Sequence, residues 1–178
     1  MKLRQVTLVM LALIFSAQYI HAQQPHWMIG ILSSHFVNES TDHRLSEANN
    51  PFGTGALVGY QWNRDFAVAL TGEYFDRSIE RTQGNEKMFR THLSLIGFPY
   101  QTQGLRLYSS AGLVLTNTSR EVASVKETRG DLQARFGVGA DYAIFRNIGI
   151  NVDAGIYTDG WNLQGWSNSI GLRYTLPY

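Results

Sequence analysis

Apolar and polar residues alternate at every second position along most of this chain. The longest example lies between residues 131 and 144, where even-numbered positions are apolar and odd-numbered positions are mostly polar or glycine. A period of two predicts a β-strand with one apolar and one polar face. A slip of one residue would reverse both faces, so the pattern also predicts which side chains share a face. Similar stretches predict eight strands, at residues 27–38, 53–62, 66–77, 89–99, 105–116, 131–144, 148–157 and 166–178.

The connections between the predicted strands alternate between short and long. Residues 63–65, 101–104 and 145–147 are tight turns, whereas residues 39–50, 78–87, 119–128 and 159–165 are longer and polar. Eight strands joined in this order predict an all-β fold, an eight-stranded antiparallel up-and-down barrel. Short turns at one end and long loops at the other are typical of barrels that span a membrane. We therefore expect both chain ends on the short-turn side.

The last predicted strand carries a pattern of its own. Its apolar face runs from Ile170 to Tyr178, and its opposite face is small or polar. A half-buried edge strand of a soluble β-protein alternates in the same way, so this strand alone leaves both classes open. Its end resembles the terminal signal that bacterial outer-membrane barrels present to their assembly machinery, in the residues Ser169, Gly171, Tyr174, Leu176 and Tyr178.

With this signal, the strand pattern resembles the OmpA/OmpX-like superfamily of small outer-membrane barrels. The resemblance implies that residues 23–178 form an eight-stranded antiparallel up-and-down transmembrane β-barrel with no periplasmic domain. It also implies a location in the bacterial outer membrane and contact with its lipid and lipopolysaccharide. Insertion by the barrel assembly machinery and a monomeric state follow from the same resemblance, and no cofactor is implied.

The amino terminus predicts export from the cytoplasm. Lys2 and Arg4 precede an apolar run at residues 6–15, and a small residue, Ala22, closes the segment. This order is that of a cleaved signal peptide, which we expect to cover residues 1–22. A retained membrane anchor is the alternative, but the apolar run is shorter than the ~20 residues that a helical span requires.

Composition narrows the possible functions. The chain has 44% hydrophobic residues and a net charge of +1, which offers no basic surface for nucleic acid. It has no cysteine, which excludes disulfides and cysteine-ligated metals. Its 17 Gly, 9 Tyr, 9 Phe and 4 Trp suit a barrel with small interior residues and aromatic girdles. The histidines show no spacing typical of a metal site.

Charged residues recur on the faces predicted to point into the barrel. Eight strands leave an interior that side chains can fill, so we expect these charges to pair and plug it. When residues are counted from the short-turn end, Arg106 lies level with Asp141, and Asp153 lies level with Arg173. Glu73 and Arg90 are less closely matched, because a long loop joins their strands. The predicted network comprises Glu73, Arg90, Arg106, Asp131, Arg135, Asp141, Asp153 and Arg173.

These features favour a structural scaffold that displays surface loops to an unknown partner. A narrow, low-conductance pore would use the same interior charges. A lipid A-modifying enzyme is the other alternative, because His92 and Ser94, with Glu73 on the neighbouring strand, have the spacing of a deacylase-like serine hydrolase. His92 is expected to point inwards, away from the lipid, so we predict no enzyme, no catalytic residue and no cofactor or metal site.

Overall fold

The computed structural model describes residues 25–38, 48–49, 52–79, 84–102, 104–122 and 125–176. The predicted signal peptide and Tyr178 lie outside these residues. The strands are β1 (His26–Asn38), β2 (Ala48–Asn49), β3 (Phe52–Gln61), β4 (Phe66–Ile79), β5 (Gly84–Gln101), β6 (Leu105–Val122), β7 (Val125–Ala143), β8 (Ile148–Asp159) and β9 (Asn162–Thr175).

The eight long strands close into a ring. Each pairs antiparallel with its neighbour in the chain, β1 also pairs with β9, and the β4–β5 pairing completes the circuit. The two-residue β2 adds to β4, with Ala48 opposite Ile79. The predicted eight-stranded antiparallel barrel is therefore confirmed. The described residues contain no helix that is long and apolar enough to span a membrane.

The strands are strongly staggered around the ring. A path that starts at Trp27 on β1 and moves to the register partner on each successive strand returns to β1 at Val37. The return point is ten residues further along the strand. A stagger of this kind requires strands tilted by about 35–45° from the barrel axis. Side chains at equal height are therefore not register partners. The path passes through Tyr60, Val68, Leu95, Ala111, Phe136, Ile156 and Trp166.

The outer wall is apolar, and the interior contains most of the buried charge. Ile31 is 66% exposed, and Val138 is 64% exposed. Arg90, Asp141 and Glu73 are buried. This distribution is the reverse of that in a water-soluble domain, and it suits a wall that faces hydrocarbon.

Three predicted loops are shorter than expected. Residues 78–87, 119–128 and 159–165 were expected to be mostly loop, but β4 to β9 continue through much of them. Opposite charges on adjacent strands explain the longest extension, because Arg77 faces Glu86, Glu86 faces Arg120, and Arg120 faces Glu127.

Four strands extend beyond the rest of the barrel. Pairing between β7 and β8 stops at Ala134 and Thr158, whereas β6 and β7 remain paired as far as Val122 and Val125. We call these extensions the projecting sheet. It consists of residues 76–79 of β4, 84–87 of β5, 117–122 of β6 and 125–133 of β7.

Candidate functional site in the barrel interior

Asp141 is the centre of a buried cluster near the short-turn end. Its Oδ2 accepts a 3.1 Å hydrogen bond from Arg106 Nη2 and another from Arg173 Nη1, and its Oδ1 accepts a 2.8 Å bond from Asn151 Nδ2. Arg106 Nη1 also donates to Gln61 Oε1 at 2.8 Å. One carboxylate thus serves two guanidinium groups in a site almost free of solvent.

The expected pairing of Asp153 with Arg173 is wrong. Asp153 lies opposite Ser169, and Arg173 lies opposite Gly149. The sequence count placed Arg173 by the end of the chain, but β9 ends earlier, at Thr175, whose N–H donates to the Asn147 carbonyl at 2.8 Å. The stagger of the strands then places Arg173 beside Asp141 instead.

Asp153 belongs to a second cluster higher in the barrel. It accepts a hydrogen bond from Arg135 Nη2 and a 3.1 Å bond from Tyr108 Oη. Arg135 also donates to Ser110 Oγ at 3.1 Å and to Tyr157 Oη at 3.3 Å. The interior therefore holds Arg135 by an ion pair and two hydroxyl groups.

Glu73 and His92 form a third buried pair. Glu73 Oε2 lies 2.8 Å from His92 Nε2, and Glu73 Oε1 accepts a hydrogen bond from Ser34 Oγ. Arg90 is the register partner of Glu73, yet the closest contacts of this carboxylate are with Ser34 and His92. Since His92 Nε2 faces Glu73, this nitrogen is not directed at Ser94, as a serine nucleophile would require.

Two predicted network members have different surroundings. Arg90 is fully buried, and its Cζ lies 4.2 Å from the Phe36 ring centroid and 3.8 Å from that of Tyr157. Asp131 was expected inside the network, but it is 37% exposed and pairs with Arg129 at 3.0 Å. Asp131 belongs to the projecting sheet, above the last β7–β8 pair, and its ion pair is with Arg129 and not with an interior charge.

Apolar clusters lie above and below the polar interior. The lower cluster is Met28, Ala67, Phe98 and Tyr108, and the upper cluster is Phe36, Phe75, Met88, Val114 and Tyr157. A cavity of about 80 Å³ borders Met28 and Phe98 at one end and Glu73 and His92 at the other. It has room for a small group of water molecules. The interior can thus hold paired charges and water between two apolar layers.

Several of these interior residues were not singled out from the sequence. Alternation alone places all of them on inward faces, but it does not show which of them meet. The described residues include no group of three or more His, Cys, Asp or Glu side chains placed to hold a metal. The additional contacts come from Ser34, Phe36, Gln61, Tyr108, Asn151 and Tyr157.

The predicted assembly signal lies on β9 and the residues that follow it. Ser169 and Gly171 point towards the interior, and Tyr174 and Leu176 are 38% and 39% exposed on the wall. Tyr178 is outside the described residues. Recognition of this series by the assembly machinery remains a prediction.

A closed antiparallel barrel with an apolar outer wall and an ion-paired interior defines the class of transmembrane β-barrels. The family model of the outer membrane protein beta-barrel domain matches residues 6–175. The chain belongs to this family, which places it in the bacterial outer membrane. A search of the curated proteins found no match.

Solved structures with low sequence identity share the fold. The N-terminal β-barrel domain of Pseudomonas aeruginosa OprF is 19% identical, with a TM-score of 0.64 over 88% of this chain and 100% of that one. OprG of P. aeruginosa is 12% identical, with a TM-score of 0.58 over 89% and 98%. Ail, the attachment invasion locus protein of Yersinia pestis, is 14% identical, with a TM-score of 0.56 over 88% and 100%. At these identities the likeness concerns the fold.

One pair of substitutions tests which part of the wall faces hydrocarbon. Val138 and Val125 are 64% and 70% exposed on the same strand, but Val138 lies in the barrel wall and Val125 at the tip of the projecting sheet. Val138→Arg is expected to lower the free energy of unfolding by about 2–4 kcal/mol, and Val125→Arg by less than about 1 kcal/mol. Urea unfolding in lipid vesicles, followed by tryptophan fluorescence, measures both. Equal losses would contradict the assignment.

Proposed function

We propose that this protein is a closed-barrel scaffold whose projecting sheet binds other proteins at the cell surface. The main observation in support of this proposal is the free edge of β7. Among the described residues, Val125 to Gln133 pair with β6 on one side and with no strand on the other. At ~3.4 Å per residue, this edge is about 30 Å long.

A free strand edge is a surface on which another strand can be added. Its backbone N–H and C=O groups are available to a partner's extended segment, and alternate side chains provide selectivity. At the opposite edge of the projecting sheet, β2 pairs with Ser78 and Ile79 of β4. The β7 edge is therefore the longer unpaired edge in the described part of the projecting sheet.

The charges of the projecting sheet favour a partner of mixed charge over a polyanion. Along the exposed β6–β7 hairpin, the charges of Glu121, Lys126, Glu127 and Arg129 alternate in sign, whereas Arg77 and Glu86 are buried. Such a row is close to neutral, so it creates no basic surface to attract a polyanion. One structural neighbour, Ail, is named for attachment and invasion. The proposal extends a role of that class to this chain.

The interior contacts support a scaffold over the pore and enzyme alternatives. Two buried apolar clusters accompany the paired charges of the interior. In this proposal, the buried side chains of Phe36, Tyr157 and Phe98 obstruct the passage of ions. His92 and Ser94 lie inside the wall, where lipid acyl chains do not reach. The proposal therefore assigns function to the outer end of the barrel.

Shortening the β6–β7 hairpin tests the proposal. Thr118 and Arg129 are register partners, so an Asn-Gly turn in place of residues 119–128 should close the hairpin without disturbing the barrel. We expect bacteria that display this variant to adhere to epithelial cell layers at least tenfold less than bacteria with the intact protein. Loss of residues 125–128, the outer part of the β7 edge, is the physical reason.

The matched control leaves the length of every hairpin unchanged. Replacing Gly160 and Trp161, the two-residue connection between β8 and β9, with Asn-Gly changes a neighbouring tip and leaves the β7 edge intact. This control should adhere like the intact protein, and heat-modified gel mobility should show that both variants are folded. Adhesion that is unchanged by hairpin shortening, or that never exceeds the level of cells without the protein, would refute the proposal.

A further inference from the structure

Two arginines approach the same aromatic ring at the upper end of the barrel. Arg77 Cζ lies 5.3 Å and Arg90 Cζ lies 4.2 Å from the Phe36 ring centroid. Both side chains are buried, Arg90 completely. Two like charges held this close, with little water, repel each other unless an anion lies between them.

Most of the hydrogen-bond donors of these arginines have no partner in the described part of the chain. They are Nε and both Nη atoms of Arg90, and Nε and Nη2 of Arg77. Thr116, the register partner of Arg90 on β6, likewise has a buried Oγ1 without a partner among the described residues. Buried donors are nearly always satisfied in folded proteins, so this cluster requires acceptors.

The neighbouring carboxylates do not supply enough acceptors. Glu86 Oε1 lies 3.8 Å from Arg77 Nη1, too far for a hydrogen bond. Glu73 is in contact with Ser34 and His92, and Asp131 pairs with Arg129. Glu86 thus offsets part of the charge of Arg77, but most donors of Arg77 and Arg90 still have no acceptor among the described residues.

We propose that Arg77, Arg90 and Thr116 form a binding site for a small oxyanion at the mouth of the barrel. Phosphate, sulfate and carboxylate groups share the chemistry required, because their oxygens accept several in-plane N–H bonds from guanidinium forks and one from a hydroxyl. The contacts of Phe36 and Tyr157 with Arg90 fix the direction of its donors. This site is independent of the free edge of β7.

Nuclear magnetic resonance of the refolded barrel in detergent micelles tests the site directly. Sodium phosphate, sulfate and acetate are titrated at constant ionic strength against sodium chloride, and the Nε–Hε signals of the arginines are followed. We expect the Arg77 and Arg90 signals to shift along a saturable curve with at least one oxyanion. Arg129, whose side chain is 72% exposed, is the control within the same molecule and should not saturate. Equal, non-saturating shifts of all three signals would overturn the proposal.

Thermal unfolding provides a second measurement. The oxyanion that saturates should raise the unfolding midpoint of the intact protein and of Arg129→Gln, but not that of Arg77→Gln. An equal rise in all three proteins would count against the site. Lipid A added at the same phosphate concentration distinguishes a lipid phosphate from a free anion. Lipid A without free anion would raise the unfolding midpoint only if the site binds a lipid phosphate.

The chain's own carboxylates are the competing explanation. Glu39, Asp42 and Glu47 precede β3 in the sequence, outside the described residues. In the competing case, the intact protein shows no saturable shift with any oxyanion, while a variant carrying Glu39→Gln, Asp42→Asn and Glu47→Gln shows one. A carboxylate of the chain itself then occupies the site. That result would overturn the proposal of an external ligand.

Discussion

Asp141→Asn is expected to lower the free energy of unfolding by about 3–5 kcal/mol. The carboxylate is 3% exposed and accepts hydrogen bonds from both Arg106 and Arg173. Asparagine has the same shape but no charge, so two guanidinium groups would remain in the interior without a counterion. Urea unfolding in lipid vesicles, monitored by tryptophan fluorescence, measures the loss.

Asp131→Asn is the matched control. Asp131 also pairs with an arginine, but the Arg129 side chain is 72% exposed. An exposed ion pair contributes about 0–1 kcal/mol, so this variant should remain close to the intact protein. Adding Arg173→Met to Asp141→Asn removes one unpaired charge and should restore part of the loss. Equal destabilisation by Asp131→Asn and Asp141→Asn would show that the interior pairing has no special role.

Gly139→Ala is expected to destabilise the barrel by about 1–3 kcal/mol, although it adds a single methyl group. A Cβ at this position would lie 2.3 Å from Tyr108 Cζ and 2.5 Å from the Val152 carbonyl oxygen. Tyr108 and Asp153 are the register partners of Gly139 on either side. The Tyr108 ring therefore crosses the glycine to reach Asp153, and a methyl group would displace it. Heat-modified gel mobility across a temperature series measures the change.

Gly130→Ala provides the comparison. Gly130 lies higher on the same strand, and a Cβ there meets only Asn117 Oδ1, at 3.4 Å. The same chemical change should therefore leave the unfolding midpoint nearly unaltered. If Gly139→Ala were as well tolerated as Gly130→Ala, the packing of Tyr108 over β7 would not be required for stability.

Alternation predicted much of the fold, because a barrel that faces hydrocarbon outside and water inside imposes a period of two on each strand. It placed Arg135, His92 and Asp141 on inward faces, where the structure has them. It did not predict the lengths of β6 and β7. Above the wall both faces meet water, so the hydrophobic alternation stops while cross-strand pairs such as Arg120 and Glu127 continue the ladder.

The contacts between side chains inside the barrel were harder to predict than the strand face on which each residue lies. Arg106 and Asp141 are register partners near the short-turn end, and they lie together as the sequence count suggested. Arg173 could not be placed in this way, because its strand ends at Thr175 and not at the end of the chain. Phe36 and Tyr157, which contact Arg90, gave no signal beyond their inward position.

The class of this protein followed from its residue pattern, since the side on which each residue lies depends only on its neighbours along one strand. The contacts between charges, the donors without partners and the unpaired edge of β7 among the described residues became visible only in the folded barrel. These outcomes depend on the stagger of ten residues between Trp27 and Val37, to which every strand of the ring contributes. Because this stagger depends on how the whole ring closes, it cannot be obtained from the residue pattern of any single strand.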